Sequence, residues 1–410
     1  MKILIVAYQF CPRGQVGTRR WSKFAKYLAA KGYEVHVICA KYPNKDKVNW
    51  CHDVENNPNI KIHRLPSKYP TFVLSPNRTF KVKLADRILK HSTHYLDIAQ
   101  QWGKVLIPFA IQLIKKEQIK NVFVTAAPFT PMIFMAQVKK ELDDNINLVL
   151  DLRDPWEFYL NSGKEWFDNW RKKVAHKNEA FAFDMADKVI FISDLFKKEY
   201  TERHPTLAQK FEVVHNGFDV QDFQSVDSSP ISNFQMVYLG SLMTERVEAL
   251  IVLAKAIHEL NDEYINENLK INLYSHNFVR PKLGDSALQA TFDRHMLLKE
   301  TVSVSEVPNI LAKHEYCLTI NAKAHANAFG VKTFDYMGLN KKIFLIGPEG
   351  DLPKVLKAAN QYVADYDMEN IKTVLLRMKE DAINNIAVSV NQYQQFELEH
   401  LTNKLTQFIV

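Results

Sequence analysis

Residues able to handle an anion gather late in the chain. Gly330 and Lys332 follow a small and polar stretch, Asn321 to Ala328. A glycine at a helix start lets a phosphate approach free backbone N–H groups, and the helix dipole favours the negative charge. Lys332 adds a cation beside it. A second set, Asp151-Leu-Arg153-Asp154-Pro155-Trp156, closes the apolar run Leu148-Val-Leu. Charge at the end of a buried strand is costly unless it is used, so this set reads as functional. Its bland alternative is a buried Asp151–Arg153 ion pair that shapes the loop. Near the start, Gly14 and Gly17 form a G-x-x-G on a long loop, which is not the dinucleotide fingerprint and disfavours a dehydrogenase. No G-x-S-x-G elbow marks a hydrolase. H-E-x-x-H, a Cys/His cluster and a D-x-D pair with strand signals are missing too, so neither a metal nor another cofactor is expected.

These residues need elements to hold them. Tyr316 to Ile320 is an apolar run; Val331, Phe334, Met337 and Gly338 recur at helical spacing; Ile343 to Ile346 is a second run after the Gly338-Leu339-Asn340 stop. That predicts strand, loop, helix and parallel strand, with the loop at the carboxyl end of a sheet, where open α/β sheets bind ligands. The start of the chain repeats the scheme. Lys2 to Ala7 is a strand, Thr18 caps a helix carrying Trp21, Phe24, Ala25 and Leu28, Gly32 stops it, and Val35 to Ala40 is the next strand. Further strands are expected at Ile60 to Leu65, Asn121 to Thr125, Leu148 onward, Lys188 to Ser193 and Phe211 to His215. Helices are expected over Thr79 to Glu117, up to about Leu142, and over Trp166 to Ala186, with Ser193 or Asp194 capping another. The polar stretch Val220 to Ser232 marks a boundary. Strands Phe234 to Leu239 and Ile271 to Tyr274 then restart the pattern around a helix from Val247 to Leu260. A last helix, about Phe396 to Val410, carries Phe396, Leu398, Leu401, Leu405 and Phe408 on one stripe. The class is α/β, with domains at 1–220 and 233–390 and a terminal helix at 391–410.

At 410 residues the chain is too long for one ordinary core, and a hydrophobic content of 47% excludes a largely disordered protein. The longest apolar run, Val105 to Ile114, contains Pro108 and is far short of the ~18 residues of a membrane span. Lys2 to Ala7 is too short for a signal segment, and Cys11, Cys39, Cys51 and Cys317 lack disulfide or metal spacing, so a reducing cytoplasm is expected. A net charge of +7 suits anionic substrates or an anionic membrane surface, and no nucleic-acid-binding signature appears.

Asn327-Ala-Phe-Gly-Val-Lys-Thr-Phe-Asp335 resembles the E-x7-E segment of the retaining nucleotide-sugar glycosyltransferases of family 4 and its relatives. There the pattern runs E-G-F-G-x4-E. This chain keeps Phe329, Gly330 and the spacing, with Asn327 for the first Glu and Asp335 for the second. Gly17-Thr-Arg-Arg-Trp-Ser-Lys and Gly32-Tyr-Glu-Val-His-Val37 resemble the family's glycine-bearing loop and following strand, and Asn216-Gly217-Phe-Asp219 its P-N-G-V-D linker segment. Of the family's G-R-x4-K-G, Gly240 is kept, Ser241 replaces the Arg and Arg246 falls at the Lys; Lys332 or Lys323 is the candidate for the lost cation.

The resemblance implies a GT-B architecture: two Rossmann-like doubly wound domains facing a cleft, with a C-terminal helix crossing back to the first. It implies retaining, metal-independent transfer of a sugar from a nucleotide-diphosphate donor to an acceptor hydroxyl, in cell-surface polysaccharide or glycolipid synthesis. Gly17, Gly240, Ser241, Asn327, Phe329, Gly330, Val331 and Asp335 would bind the donor, Asp335 gripping the ribose hydroxyls. Arg246 and Lys332 would act on the diphosphate, and Asp154 would position the sugar or the acceptor hydroxyl. Arg19 and Arg153 would lie on the acceptor side. Asn327, which donates as well as accepts, implies a donor other than plain glucose or mannose. The basic segments Thr79–Lys116 and Trp166–Lys177 suggest an anionic membrane surface and a lipid-linked acceptor, for a cytoplasmic protein peripheral to the membrane. Two rival readings share the fold: a non-hydrolysing sugar-nucleotide epimerase, and a catalytically idle GT-B partner subunit, to which Ser241 and Asn327 lend weight.

Overall fold

The computed structural model describes residues 1–14, 16–42, 50–70, 79–90, 96–156, 165–224, 226, 234–303, 306–323, 329–386 and 392–410. The chain forms two compact units, Met1–His215 with Leu398–Val410 and Asn216–Glu397.

The first unit holds β1 (Lys2–Val6), β2 (Glu34–Lys41), β3 (Ile60–Pro66), β4 (Asn121–Thr125), β5 (Asn147–Leu152), β6 (Lys188–Phe191) and β7 (Phe211–Val213). Its helices are α1 (Val16–Ala30), α2 (Phe80–Lys90), α3 (Gly103–Glu117), α4 (Thr130–Glu141), α5 (Glu165–Met185) and α6 (Asp194–Arg203). The strands pair in the order β3-β2-β1-β4-β5-β6-β7, all parallel. Strand β1 shows why such strands read as unbroken apolar runs. Leu4 and Val6 point into one core layer, Ile3 and Ile5 into the other, so both faces are buried.

The second unit repeats the design with β8 (Gln235–Leu239), β9 (Lys270–Tyr274), β10 (Met296–Lys299), β11 (Tyr316–Ile320), β12 (Lys342–Ile346) and β13 (Tyr362–Ala364). Helices α7 (Glu245–Leu260), α8 (Glu263–Asn268), α9 (Ser286–His295), α10 (Val307–Lys313), α11 (Val331–Gly338), α12 (Asp351–Ala358) and α13 (Met368–Ile383) accompany them. The order is β10-β9-β8-β11-β12-β13. The final helix, α14 (Leu398–Thr406), returns to the first unit and packs on α1, where Leu398, Leu401 and Leu405 join the Trp21 and Leu28 core. The chain end is tied as well: Asn121 Nδ2 donates to the Val410 carbonyl and Val410 N to Asn121 Oδ1, both at 2.9 Å. This is the α/β, doubly wound, two-unit architecture with a returning helix.

Three local expectations are corrected. Thr79–Glu117 is not one helix: Asp97 interrupts it, accepting bonds from Phe129 N (2.7 Å), Thr130 N (2.9 Å) and Thr130 Oγ1 (2.6 Å) at the start of α4. Thr18 does not cap α1, because the helix begins at Val16 and Thr18 is buried within it. The last helix starts at Leu398, because Phe396 is committed to the second unit's core against Phe334. The edge strands β10 and β13 were not expected from the sequence.

Candidate active site

Each sheet reverses its strand order once, between β1 and β4 in the first unit and between β8 and β11 in the second. Loops leaving the carboxyl ends of those strands frame a ligand crevice in doubly wound sheets. Gly240 and Ser241 lie on the loop after β8, Gly330 at the end of the connection after β11, Gly17 and Arg19 in α1 after β1, and Arg153 and Asp154 after the next strand, β5.

In the second unit, β8 ends at Leu239 and the chain turns at Gly240, with φ of +150°. A Cβ here would stand 3.2 Å from Lys332 Nζ and 3.4 Å from the Tyr238 hydroxyl, so glycine meets both a conformational and a steric demand. The Ser241 carbonyl accepts from Tyr238 Oη (2.9 Å) and from Arg246 Nη1 (3.1 Å). Ser241 Oγ accepts from Asn277 Nδ2 at 2.7 Å, and Asn277 Oδ1 accepts from Leu242 N (3.0 Å) and Ser275 Oγ (3.0 Å). The loop after β8 is thus locked by the loop after β9.

Helix α11 supplies the other wall. Gly330 precedes it and Val331 is its first residue. Lys332 reaches back to the Gly240 loop. Its side chain is accessible by area, yet the ammonium sits among enough protein that desolvation lowers its pKa; Asp335 opposes that shift and Arg246 adds to it. Asp335, one turn on, is half-buried. Tyr366, just past β13, donates to the Asn321 carbonyl at 2.7 Å and lies under Lys323 Nζ at 4.9 Å. Burial, then the Glu245 carboxylate, pushes its phenol up to about 12. Burial likewise raises Tyr238 to about 12 against the pull of Arg246.

Gly240, Ser241, Arg246, Lys332 and Asp335 therefore come together. Phe329 does not present its ring to them. It is buried against Phe334, with centroids 5.4 Å apart, so it anchors the loop from below. Asn327 lies outside the described residues. Tyr238, Asn277 and Tyr366 went unrecognised in the sequence; Ser275-His276-Asn277 at a strand end was the one available signal, while Tyr238 is masked by its apolar strand.

In the first unit, Arg153 follows β5 and its Nε donates to the Ala126 carbonyl beyond β4 at 2.6 Å. Its guanidinium lies over Gly17 at the start of α1, where a Cβ would meet Nη1 at 2.1 Å. Gly17 is needed for that approach. Asp154 is half-buried beside Arg153. The Asp151–Arg153 pair does not form. Asp151 is instead held by Arg20 Nη2 (2.9 Å), Trp21 Nε1 (2.7 Å) and Thr125 Oγ1 (3.0 Å), all buried. Arg19 is buried with its guanidinium 5.1 Å over Trp50, a different setting from that of Arg153.

Two groups of possible metal ligands occur among the described residues, Cys11–Cys51–Glu55 and Glu34–His36–Glu117. Spatial proximity of Cys11 and Cys51 was not visible from their spacing. Both groups already hold cations: Arg64 lies 2.9 Å from Glu55, Lys2 lies 2.6 Å from Glu117, and Lys61 bonds Glu34.

The model of Glycosyltransferase Family 4 matches residues 18–222, half of the chain. The chain belongs to glycosyltransferase family 4. No curated protein matches the sequence. Among solved structures this glycosyltransferase is similar to Anabaena HepE in complex with UDP, at 13% identity and a TM-score of 0.63, covering 99% of each chain. It is similar to WaaG, a glycosyltransferase involved in lipopolysaccharide biosynthesis, at 13% identity and a TM-score of 0.55, covering 100% of this chain and 99% of that one. It is also similar to a glycosyltransferase from Rickettsia africae, at 13% identity and a TM-score of 0.56, covering 99% and 97%. At these identities the likeness speaks to the fold, which is GT-B, and the family makes the chain a sugar-transferring enzyme.

Proposed function

We propose that this enzyme moves a sugar from a nucleotide-diphosphate donor to an acceptor hydroxyl, with retention and without a metal ion. The observation that carries the reading is the convergence of Lys332, Arg246 and the start of α11 on the Gly240–Ser241 loop. Breaking the anomeric C–O bond leaves growing negative charge on the diphosphate, and fixed cations and N–H groups stabilise it where it develops. Lys332 makes up for the cation that Ser241 lacks. Asp335 accepts hydrogen bonds from the donor ribose hydroxyls. Asp154 orients the sugar or the acceptor, and Arg153 serves the acceptor side. As the acceptor oxygen bonds to the anomeric carbon, its proton passes to the departing phosphate, so no dedicated base is required. Asn327 in place of a carboxylate favours a donor other than plain glucose or mannose.

The UDP complex of HepE supports a nucleotide-sugar donor, and the part of WaaG in lipopolysaccharide biosynthesis supports a lipid-linked or polysaccharide acceptor. Among the described residues no helix is long and apolar enough to cross a membrane. The net charge of +7 and the basic segments at 79–116 and 166–177 support a peripheral place on the anionic inner membrane face. The test is a panel of sugar nucleotides with and without acceptor lipids, read by nucleoside diphosphate release. Release that needs an acceptor supports transfer. Sugar interconversion without an acceptor makes the protein an epimerase, and no turnover with any donor makes it an idle partner subunit.

A further inference from the structure

Helix α2 carries two apolar faces, and only one of them is used. Val82 is 9% exposed, and Ala85 and Leu89 are half-buried, so this is the covered side of the helix. Phe80, Leu84 and Ile88 are 81%, 48% and 61% exposed. At about 100° per residue these three form one stripe along the helix, turned away from Val82 and Leu89. Lys81 borders that stripe on one edge, Lys83 and Arg87 on the other, and all three are exposed. An apolar stripe between cationic borders matches the depth profile of an anionic bilayer: acyl chains below, phosphates at the level of the borders.

We propose that α2 is an interfacial anchor that inserts Phe80, Leu84 and Ile88 into an anionic lipid surface. A second copy of the chain fits this stripe poorly. Its basic borders would face each other across the contact, and three side chains are far below the roughly 800 Å² per partner of a stable protein interface. Trp166 and Trp170, exposed at the start of α5, offer a second set of interfacial aromatics. Arg171 ties that helix to the chain beyond α2 by donating to the Leu96 carbonyl at 2.7 Å.

This deepens the membrane-side reading above, but the anchor needs no substrate. Its failure would leave sugar transfer standing, and a failure of transfer would leave vesicle binding intact. The full chain is floated with phosphatidylglycerol-containing or pure phosphatidylcholine vesicles. Wild type should float with the first only, and Phe80→Ser, Leu84→Ser, Ile88→Ser together should lower binding about tenfold or more. Lys81→Ser, Lys83→Ser, Arg87→Ser together should abolish the anionic preference. Because the four native cysteines are buried, a Leu84→Cys variant can carry an environment-sensitive fluorophore at that site alone, and its emission should shift to the blue on anionic vesicles. Unchanged binding by the apolar triple variant, no spectral shift, no binding by wild type, or a wild-type dimer that the triple variant dissociates would each overturn the proposal.

Discussion

Gly17→Ala tests the first unit's site with one methyl group. The new Cβ would stand 2.1 Å from Arg153 Nη1, 2.4 Å from Nη2 and 2.5 Å from Cζ, so the guanidinium must leave. The steric part is inexpensive, since a flexible side chain can swing aside. The loss is the charged hydrogen bond from Arg153 Nε to the Ala126 carbonyl, now 2.6 Å, which is worth about 1.5–3 kcal/mol. Against it, alanine in a helix gains up to about 1 kcal/mol over glycine. Gly17→Ala should therefore cost a net ~1–2 kcal/mol of stability and lower turnover if Arg153 serves the acceptor. In an Arg153→Ala background the clash is gone, and the same substitution should be neutral or stabilising. Thermal unfolding of the four proteins in this cycle measures the coupling. Additive effects, within about 0.5 kcal/mol, would refute the claim that Gly17 exists to admit Arg153.

In the second unit, Arg246→Ala should lower kcat more than it raises the donor KM, because the charge it meets grows toward the transition state; a pure KM effect would count against that role. Asp335→Ala should weaken nucleoside diphosphate binding by about 1–3 kcal/mol by calorimetry, and unchanged binding removes Asp335 from the ribose. Burial lowers the Lys332 pKa, so its cation is present at low pH and lost as pH rises through a value below lysine's usual ~10.4. Donor affinity should fall there, while Tyr238 and Tyr366, raised to about 12, stay protonated; Lys332→Arg should abolish the fall. EDTA should leave turnover intact, and a strict metal requirement would contradict the proposed chemistry.

The segment β11–α11–β12 was legible because local signals agreed: apolar runs of strand length, a glycine before helical spacing, and a Gly-Leu-Asn stop. What failed was decided by distant partners. Asp151 was readable as a buried carboxylate in need of a cation, but its partner Arg20 lies 131 residues away, and the neighbour Arg153 was the natural local guess. Asp97 could not be seen to break a helical pattern, because its work is to cap α4 across 33 residues. The edge strand β10 follows α9 with no residue between them, and only Met296 of its four residues is buried, so neither a break nor an apolar run marks it. Phe329 matched a motif by type and position, yet type says nothing of which way a ring points. Here it points into the core, leaving only its backbone for a ligand.

Position 241 carries the same lesson into the chemistry. By alignment the site loses a cation, since a serine stands where the family pattern has arginine. In space the loss is smaller, because Lys332 reaches the Gly240–Ser241 loop from a different strand connection. The serine is also no vacancy. Its Oγ accepts from Asn277, so an arginine there would lose the tie to the loop after β9 and keep only the carbonyl's bonds from Tyr238 and Arg246. Charge at such a site belongs to the volume, not to the sequence position, and a substituted motif residue is weak grounds for calling a family member inactive.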